Sequence, residues 1–222
     1  MAHDVCVVIP VYNEAEVVGD VVAEVRREFP KVACVDDGSQ DQSAEICERA
    51  GARVLRHPVN LGQGAALRTG IEFGLLDPSV RAFVTFDADG QHDVRDVSGM
   101  LAMLDRDETQ VVFGSRFLDG RTELTPARRL VLRAGVRYTR LTTGMAVTDT
   151  HNGLRVFTRE VASALRLEMN GMAHGSEILE IVGNGDFRYA EAPVHIRYTD
   201  YSRAKGQPLL NSVNILVDLF LR

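Results

Sequence analysis

The chain has 222 residues and a formal net charge of −6, with 45% apolar and 25% charged side chains. That is an ordinary balance for a globular domain with a sizeable core, and it argues against nucleic acid as a partner, which calls for a cationic footprint. No apolar run approaches the ~20 residues of a membrane span, and the polar start Met1–Asp4 predicts no signal peptide.

Taken in chain order, "VCVVIP" (5–10) reads as a strand, followed by a helix over 15–28 with Val17, Val18, Val21, Val22 and Val25 on one face. "KVACVDD" (31–37) is the second strand, and 42–50 the second helix, with Ser39 or Asp41 as its cap. "ARVLRH" (52–57) is a short third strand and 62–75 a third helix. "RAFVTFD" (81–87) is the fourth strand, 94–104 a helix and "QVVFGS" (110–115) the fifth strand. Cys6 and Cys34 sit in apolar strands. With Cys47 they form no metal-type spacing, so they read as core residues of a reducing compartment. Continuous apolar strands alternating with helices predict an α/β fold, a mostly parallel sheet covered on both faces. Such sheets bind ligands where the strands end at their carboxyl edge.

The second half is less regular. A helix is predicted over 127–143, a loop into a short strand at "DTHNGLRVF" (149–157), helices over 159–165 and 175–182, and one or two strands in 187–198. "TDYSRAKGQ" (199–207) reads as a polar loop, and 208–220 as a helix with Leu209, Val213, Leu216 and Phe220 along one side. With no repeat, low-complexity tract or Pro/Gly linker, the whole of 1–222 is expected to be one domain.

Polar, mostly acidic residues follow strand after strand: "PVYNE" (10–14), "DDGSQD" (36–41), "DADGQHD" (87–93) and "SRF" (115–117). Asp87, Asp89 and Gln91 alternate, so an extended segment would turn three oxygen-bearing side chains the same way. Mg²⁺ or Mn²⁺ suits such a set, with water or phosphate in its other positions. A solvated turn is the rival reading for any isolated D-x-D. An EF-hand is excluded, since His92 and Ser98 stand where its glycine and glutamate belong. "GQGAAL" (62–67) has Leu67 in place of the last glycine of a dinucleotide fingerprint, and neither a P-loop nor a G-x-S-x-G elbow is present. His174 and Glu177 lie one helical turn apart without a third ligand, which favours a structural pair over zinc.

Together, "VVIPVYNEAE", "VDDGSQD", "NLGQGAALRTGI", "FDADGQHD", "GSRF", "TDTHNGLRVF" and "YSRAKGQ" resemble the inverting family 2 glycosyltransferases, in particular the dolichyl-phosphate mannose synthase and polyprenyl-phosphate glycosyltransferase branch. The resemblance runs from Val7 to about Leu216. It implies a GT-A fold, a UDP- or GDP-sugar donor, a divalent metal and a polyprenyl phosphate acceptor at the inner face of the cell membrane. The half 1–117 would bind the nucleotide sugar, and 118–222 would face the acceptor and end in an amphipathic helix. By position, Pro10, Tyr12, Glu14, Val35 and Asp37 would line the nucleotide pocket, and Asp87, Asp89 and Gln91 would hold the metal. Arg116 would approach the acceptor or donor phosphates, and Arg203 and Lys205 would clamp the diphosphate.

A sugar hydroxyl acceptor needs a base, whereas a lipid phosphate is already ionised. Asp149 and Glu177 are the candidate bases, each with capping or pairing to an arginine such as Arg155 as its bland alternative. Rival readings are transfer to a saccharide hydroxyl in cell-surface polysaccharide synthesis, or a non-catalytic nucleotide-sugar-binding subunit. Within 127–143, Arg129, Arg133, Arg137 and Arg140 recur on one helical face. They are either a solvated face, or one paired with acids elsewhere, or a contact for anionic headgroups or the acceptor phosphate. A small membrane partner protein is a further expectation for a chain without spans.

Overall fold

The computed structural model describes residues 2–106, 108–118, 136–137, 140–141, 143–150, 152–171 and 173–197. Seven strands form one sheet in the order β3-β2-β1-β4-β6-β5-β7. They are β1 (Val5–Val11), β2 (Lys31–Asp36), β3 (Arg53–Arg56), β4 (Ala82–Thr85), β5 (Val111–Ser115), β6 (Arg155–Thr158) and β7 (Tyr189–Pro193). All run parallel except β6, which is antiparallel to both of its neighbours. The reversal matters for the site: β6 alone begins at the edge where the other strands end. Arg155, its first residue, pairs with Thr85 on β4 and Phe113 on β5.

Both faces of the sheet are covered, which is why its strands are apolar at successive positions. Val5, Val7 and Ile9 face α1 (Val18–Glu28), α2 (Ser43–Arg49) and α4 (Val94–Arg106). Cys6, Val8 and Phe83 face α3 (Gln63–Leu75), α5 (Arg159–Ala164) and α6 (His174–Asn184). All three cysteines are buried and unbridged.

Helix α1 starts at Val18, three residues later than the apolar pattern predicts. Val17, at φ −127°, is the non-helical cap, and the chain before it is held by the neighbouring loop. The Asn13, Glu14 and Ala15 amides donate to Ser39 Oγ, Ser43 Oγ and Asp41 Oδ2. The loops after β1 and β2 are thereby stitched together, and the Glu14 carbonyl closes a separate turn by accepting the Val17 and Val18 amides. Asp41 also accepts from the Ser43 amide, at the first turn of α2. Of the helix expected over 127–143, the described residues 136–137, 140–141 and 143 are helical. The segment 198–222, with the expected C-terminal helix, lies outside the described residues.

Close approach of α3 to the sheet depends on Gly70. A Cβ there would lie 2.3 Å from Val8 Cγ1 and 3.2 Å from Val35 Cγ2. Gly70→Val is expected to force α3 off β1 and lower unfolding free energy by roughly 1–3 kcal/mol. Urea denaturation checks this; an unchanged midpoint would mean that the helix has slack.

Candidate active site

A cleft of about 420 Å³ opens at the carboxyl edge, where β2, β1 and β4 end. Asp37 stands at its β2 side. Pro10, Val11, Tyr12 and Glu14 form the middle, and Asp87, Ala88 and Asp89 the β4 side. Asn60, Gly62, Gln63 and Ala66 complete the wall. Tyr12 keeps 43% of its surface exposed, so an aromatic face is presented beside the cleft.

After β4 the chain turns instead of continuing extended. Gly90 has φ +75°, and the Gln91 amide donates to Asp89 Oδ1 at 3.0 Å. Asp87 is gripped from two sides: Gln63 Nε2 donates to Oδ1 at 3.3 Å, and His92 Nε2 lies 2.9 Å from Oδ2. His92 is buried edge-on to Phe86, with ring centroids 5.4 Å apart. Space for Asp87 comes from Gly153, where a Cβ would lie 2.2 Å from Asp87 Oδ2.

The two aspartates respond differently to these surroundings. Burial, followed by the Asp87 charge, pushes the Asp89 carboxyl up to about 6. Burial also works to raise Asp87, but the His92 hydrogen bond and the charges of His92 and Arg155 outweigh it and hold Asp87 below the usual range. Arg155 is buried, and Asp87 and Asp149 support its charge against the burial that lowers its proton affinity. Its Nη1 and the Nδ1 of His92 have no hydrogen-bond partner among the described residues. Burial and the Arg155 charge bring His174 down to about 4, so it is neutral in neutral water.

On the other side of β6, Asp149 is fully buried and holds Arg116. The guanidinium donates through Nε at 2.6 Å and Nη2 at 3.4 Å, and the Arg116 amide donates at 3.2 Å. Glu191 on β7 fixes the loop beneath: its Oε1 accepts from the Thr148 amide at 2.7 Å, the Thr148 hydroxyl at 2.9 Å and the Asp149 amide at 3.3 Å.

Residues 6–166 match the model of a family described as glycosyl transferase family 2. The chain belongs to glycosyl transferase family 2. It is 27% identical over 96% of its length to the UDP-N-acetylglucosamine–dolichyl-phosphate N-acetylglucosaminyltransferase of Methanococcus voltae, covering 94% of that protein. It is 29% identical over 96% of its length to the polyprenol monophosphomannose synthase of Mycolicibacterium smegmatis, covering 83% of it. Among solved structures, glucosyl-3-phosphoglycerate synthase of Mycobacterium tuberculosis, in complex with Mn²⁺ and UDP-glucose, superimposes with a TM-score of 0.74 at 20% identity, over 98% of this chain and 78% of that one. The fold is GT-A, and the protein is a glycosyltransferase whose relatives include polyprenyl-phosphate sugar transferases.

In this family 2 glycosyltransferase, Pro10, Tyr12, Glu14, Asp37, Asp87 and Asp89 share one cleft, as the motif order anticipates. Val35 does not line it. Residues alternate along β2, so Val35 points into the core beneath α3 while the next residues reach the edge. Gln91 is also not among the cleft-lining residues. The turn at 88–90 breaks the alternation, and the backbone of Gln91 is what engages, donating to Asp89 and accepting from the Arg197 amide. Neither candidate base is uncommitted. Asp149 pairs with Arg116, not directly with Arg155, and Glu177 accepts the Glu168 and Met169 amides at 2.8 and 3.0 Å. His174 bonds the Gly171 carbonyl, not Glu177. Arg203 and Lys205 lie outside the described residues. His57, His92 and Glu191 were not singled out by spacing, because each acts through another residue, and neither was Gln63, which both lines the cleft and bonds Asp87.

Among the described residues, no three His, Cys, Asp or Glu side chains are grouped to hold a metal. Two crowded carboxylates at a cleft wall nevertheless fit a hard cation that takes few protein oxygens and leaves its other positions to water or phosphate. Burial first and the Asp87 charge second raise the proton affinity of Asp89, and a bound cation would oppose both. The linkage is definite in sign: a carboxyl whose folded pKa is raised costs stability as pH climbs from the ordinary value near 4 through about 6. In metal-free buffer, Asp89→Asn is therefore expected to raise the thermal midpoint at pH 7–8 and leave it nearly unchanged at pH 4. A pH series of melting curves checks this, and a stabilisation independent of pH would remove the electrostatic explanation.

Proposed function

We propose that the chain transfers a hexose from a nucleoside diphosphate sugar to a polyprenyl phosphate, with inversion at the anomeric carbon. The observation that carries this reading is the Asp149–Arg116 pair. The carboxylate suited to deprotonating a hydroxyl is buried under a guanidinium, and Glu177 is spent on two amides. An acceptor phosphate brings its own negative charge and needs no base. It also suits an arginine held rigidly by a buried partner. Relatives named for dolichyl and polyprenol phosphate chemistry support the same acceptor class.

The donor would lie across the cleft, its base between Asp37 and Tyr12 and its diphosphate at Asp87 and Asp89. Those two aspartates would hold Mg²⁺ or Mn²⁺, which when bound supplies positive charge to the departing diphosphate. His92 and Gln63 keep Asp87 in place. The segment leading to Arg203 and Lys205 leaves from the same spot. His92 bridges to Ile196, and Arg197 Nη2 meets Asp93 at 2.7 Å. Arg203 and Lys205 would suit the charge of the leaving group. Residues 1–117 would serve the donor and 118–222 the acceptor. No described helix is long and apolar enough to cross a membrane. Arg137 and Arg140, exposed on their helix, would contribute to peripheral contact with the inner face.

Transfer assays with a short polyprenyl phosphate and a donor panel test the reading. Asp89→Ala is expected to lower turnover ~10²–10⁴-fold. Preference for a neutral saccharide over the lipid phosphate would overturn the acceptor assignment. For the membrane, charge reversal of Arg129, Arg133 and Arg137 together is expected to abolish flotation with anionic liposomes. Undiminished flotation would place the contact elsewhere.

A further inference from the structure

The Asp37 end of the cleft contains a second buried chain of polar groups. His57 Nδ1 lies 2.7 Å from Asp37 Oδ1, and His57 Nε2 lies 2.9 Å from Thr69 Oγ1 on α3. The side chains of His57 and Asp37 are 10% and 4% exposed. The Leu61 amide donates to the same Oδ1 at 2.9 Å, and the Gly62 amide donates to Oδ2 at 2.7 Å. Gly38 makes this convergence possible. It has φ +74°, and a Cβ there would lie 2.6 Å from the Val59 carbonyl carbon, so only glycine lets the 59–62 loop press in.

We infer that His57 is a positioning and specificity-determining residue, and that it tunes Asp37 to accept a base edge offering a single N–H, as uracil does. The inference rests on the donor-cleft reading above and deepens it. A carboxylate has about four acceptor positions. Three are filled by His57, Leu61 and Gly62, which leaves one, on Oδ2. Uracil presents one N–H between two carbonyl oxygens, and one acceptor satisfies it. Guanine presents two adjacent N–H donors, so one is left unmatched in a largely desolvated corner. Such a mismatch costs roughly tenfold or more in affinity. The Tyr12 ring gives no discrimination, since every base has a face to stack. Thr69 fixes the ring of His57, so the third acceptor position stays filled whichever nucleotide arrives.

Titration calorimetry with UDP and GDP, both with Mn²⁺ present, tests this on the whole chain. Wild type is expected to bind UDP at least about tenfold tighter than GDP. His57→Ala frees one acceptor position on Asp37 and is expected to narrow that ratio several-fold. His57→Asn, which retains a donor toward Asp37, is expected to keep it. A merely structural role for His57 would weaken both nucleotides together and leave the ratio unmoved. GDP binding as tightly as UDP to wild type overturns the base assignment while the donor cleft stands. An unchanged ratio in His57→Ala overturns the role of His57. Binding of neither nucleotide overturns the donor-cleft reading, and this inference with it.

Discussion

Charge taken out of water must be answered nearby, and the reversed strand β6 supplies the answer here. It carries Arg155 to the edge where six other strands end, between Asp87 on one side and Asp149 on the other. A parallel strand in that slot would have delivered Arg155 to the far edge, leaving Asp87 without that buried cation and Asp149 with Arg116 alone. Removing one member of such a group leaves the others uncompensated, which is the expensive case for buried ions. The sheet order is therefore an electrostatic arrangement as well as a packing one.

From that centre the site extends in two directions. Toward β4, the fixed charge of Arg155 and the hydrogen bond from His92 let Asp87 stay ionised beside Asp89, whose own proton affinity is raised. Toward β5, Asp149 holds Arg116, and Glu191 holds the loop that holds Asp149. Asp87 and Arg116 each have a buried residue behind them, His92 and Asp149. This layering keeps reacting groups within narrow geometric tolerance, on which positioning in catalysis depends.

The fold was largely legible because its central strands are runs of apolar residues and several of its helices are amphipathic. Those periodicities survive in any single sequence. Asp87, Asp89 and Tyr12 were legible because they fall at strand ends, where a parallel sheet exposes ligand-binding groups. A residue's place in a motif does not fix the way it faces, and alternation holds only as far as the strand does. Val35 is still within β2 and faces the core, while Gln91 lies past a turn set by Gly90. The partners of partners were not legible at all. His57 meets Asp37 across 20 residues and Glu191 meets Thr148 across 43, separations that no local pattern encodes. The commitment of Asp149 to Arg116 likewise depends on how two loops meet across the sheet.

The seam between α3 and the loop before α6 has a consequence for how this sequence can change. At Gly62 a Cβ would lie 2.2 Å from the Asn170 carbonyl oxygen, and at Gly64 it would lie 1.9 Å from that of Met169. The wall of the cleft and the loop gripped by Glu177 thus touch backbone to backbone. Neither wall can acquire a side chain at these two points unless the opposite main chain retreats first. Drift on one side is admissible only with a matching shift on the other, so the two stretches are expected to evolve as a correlated pair.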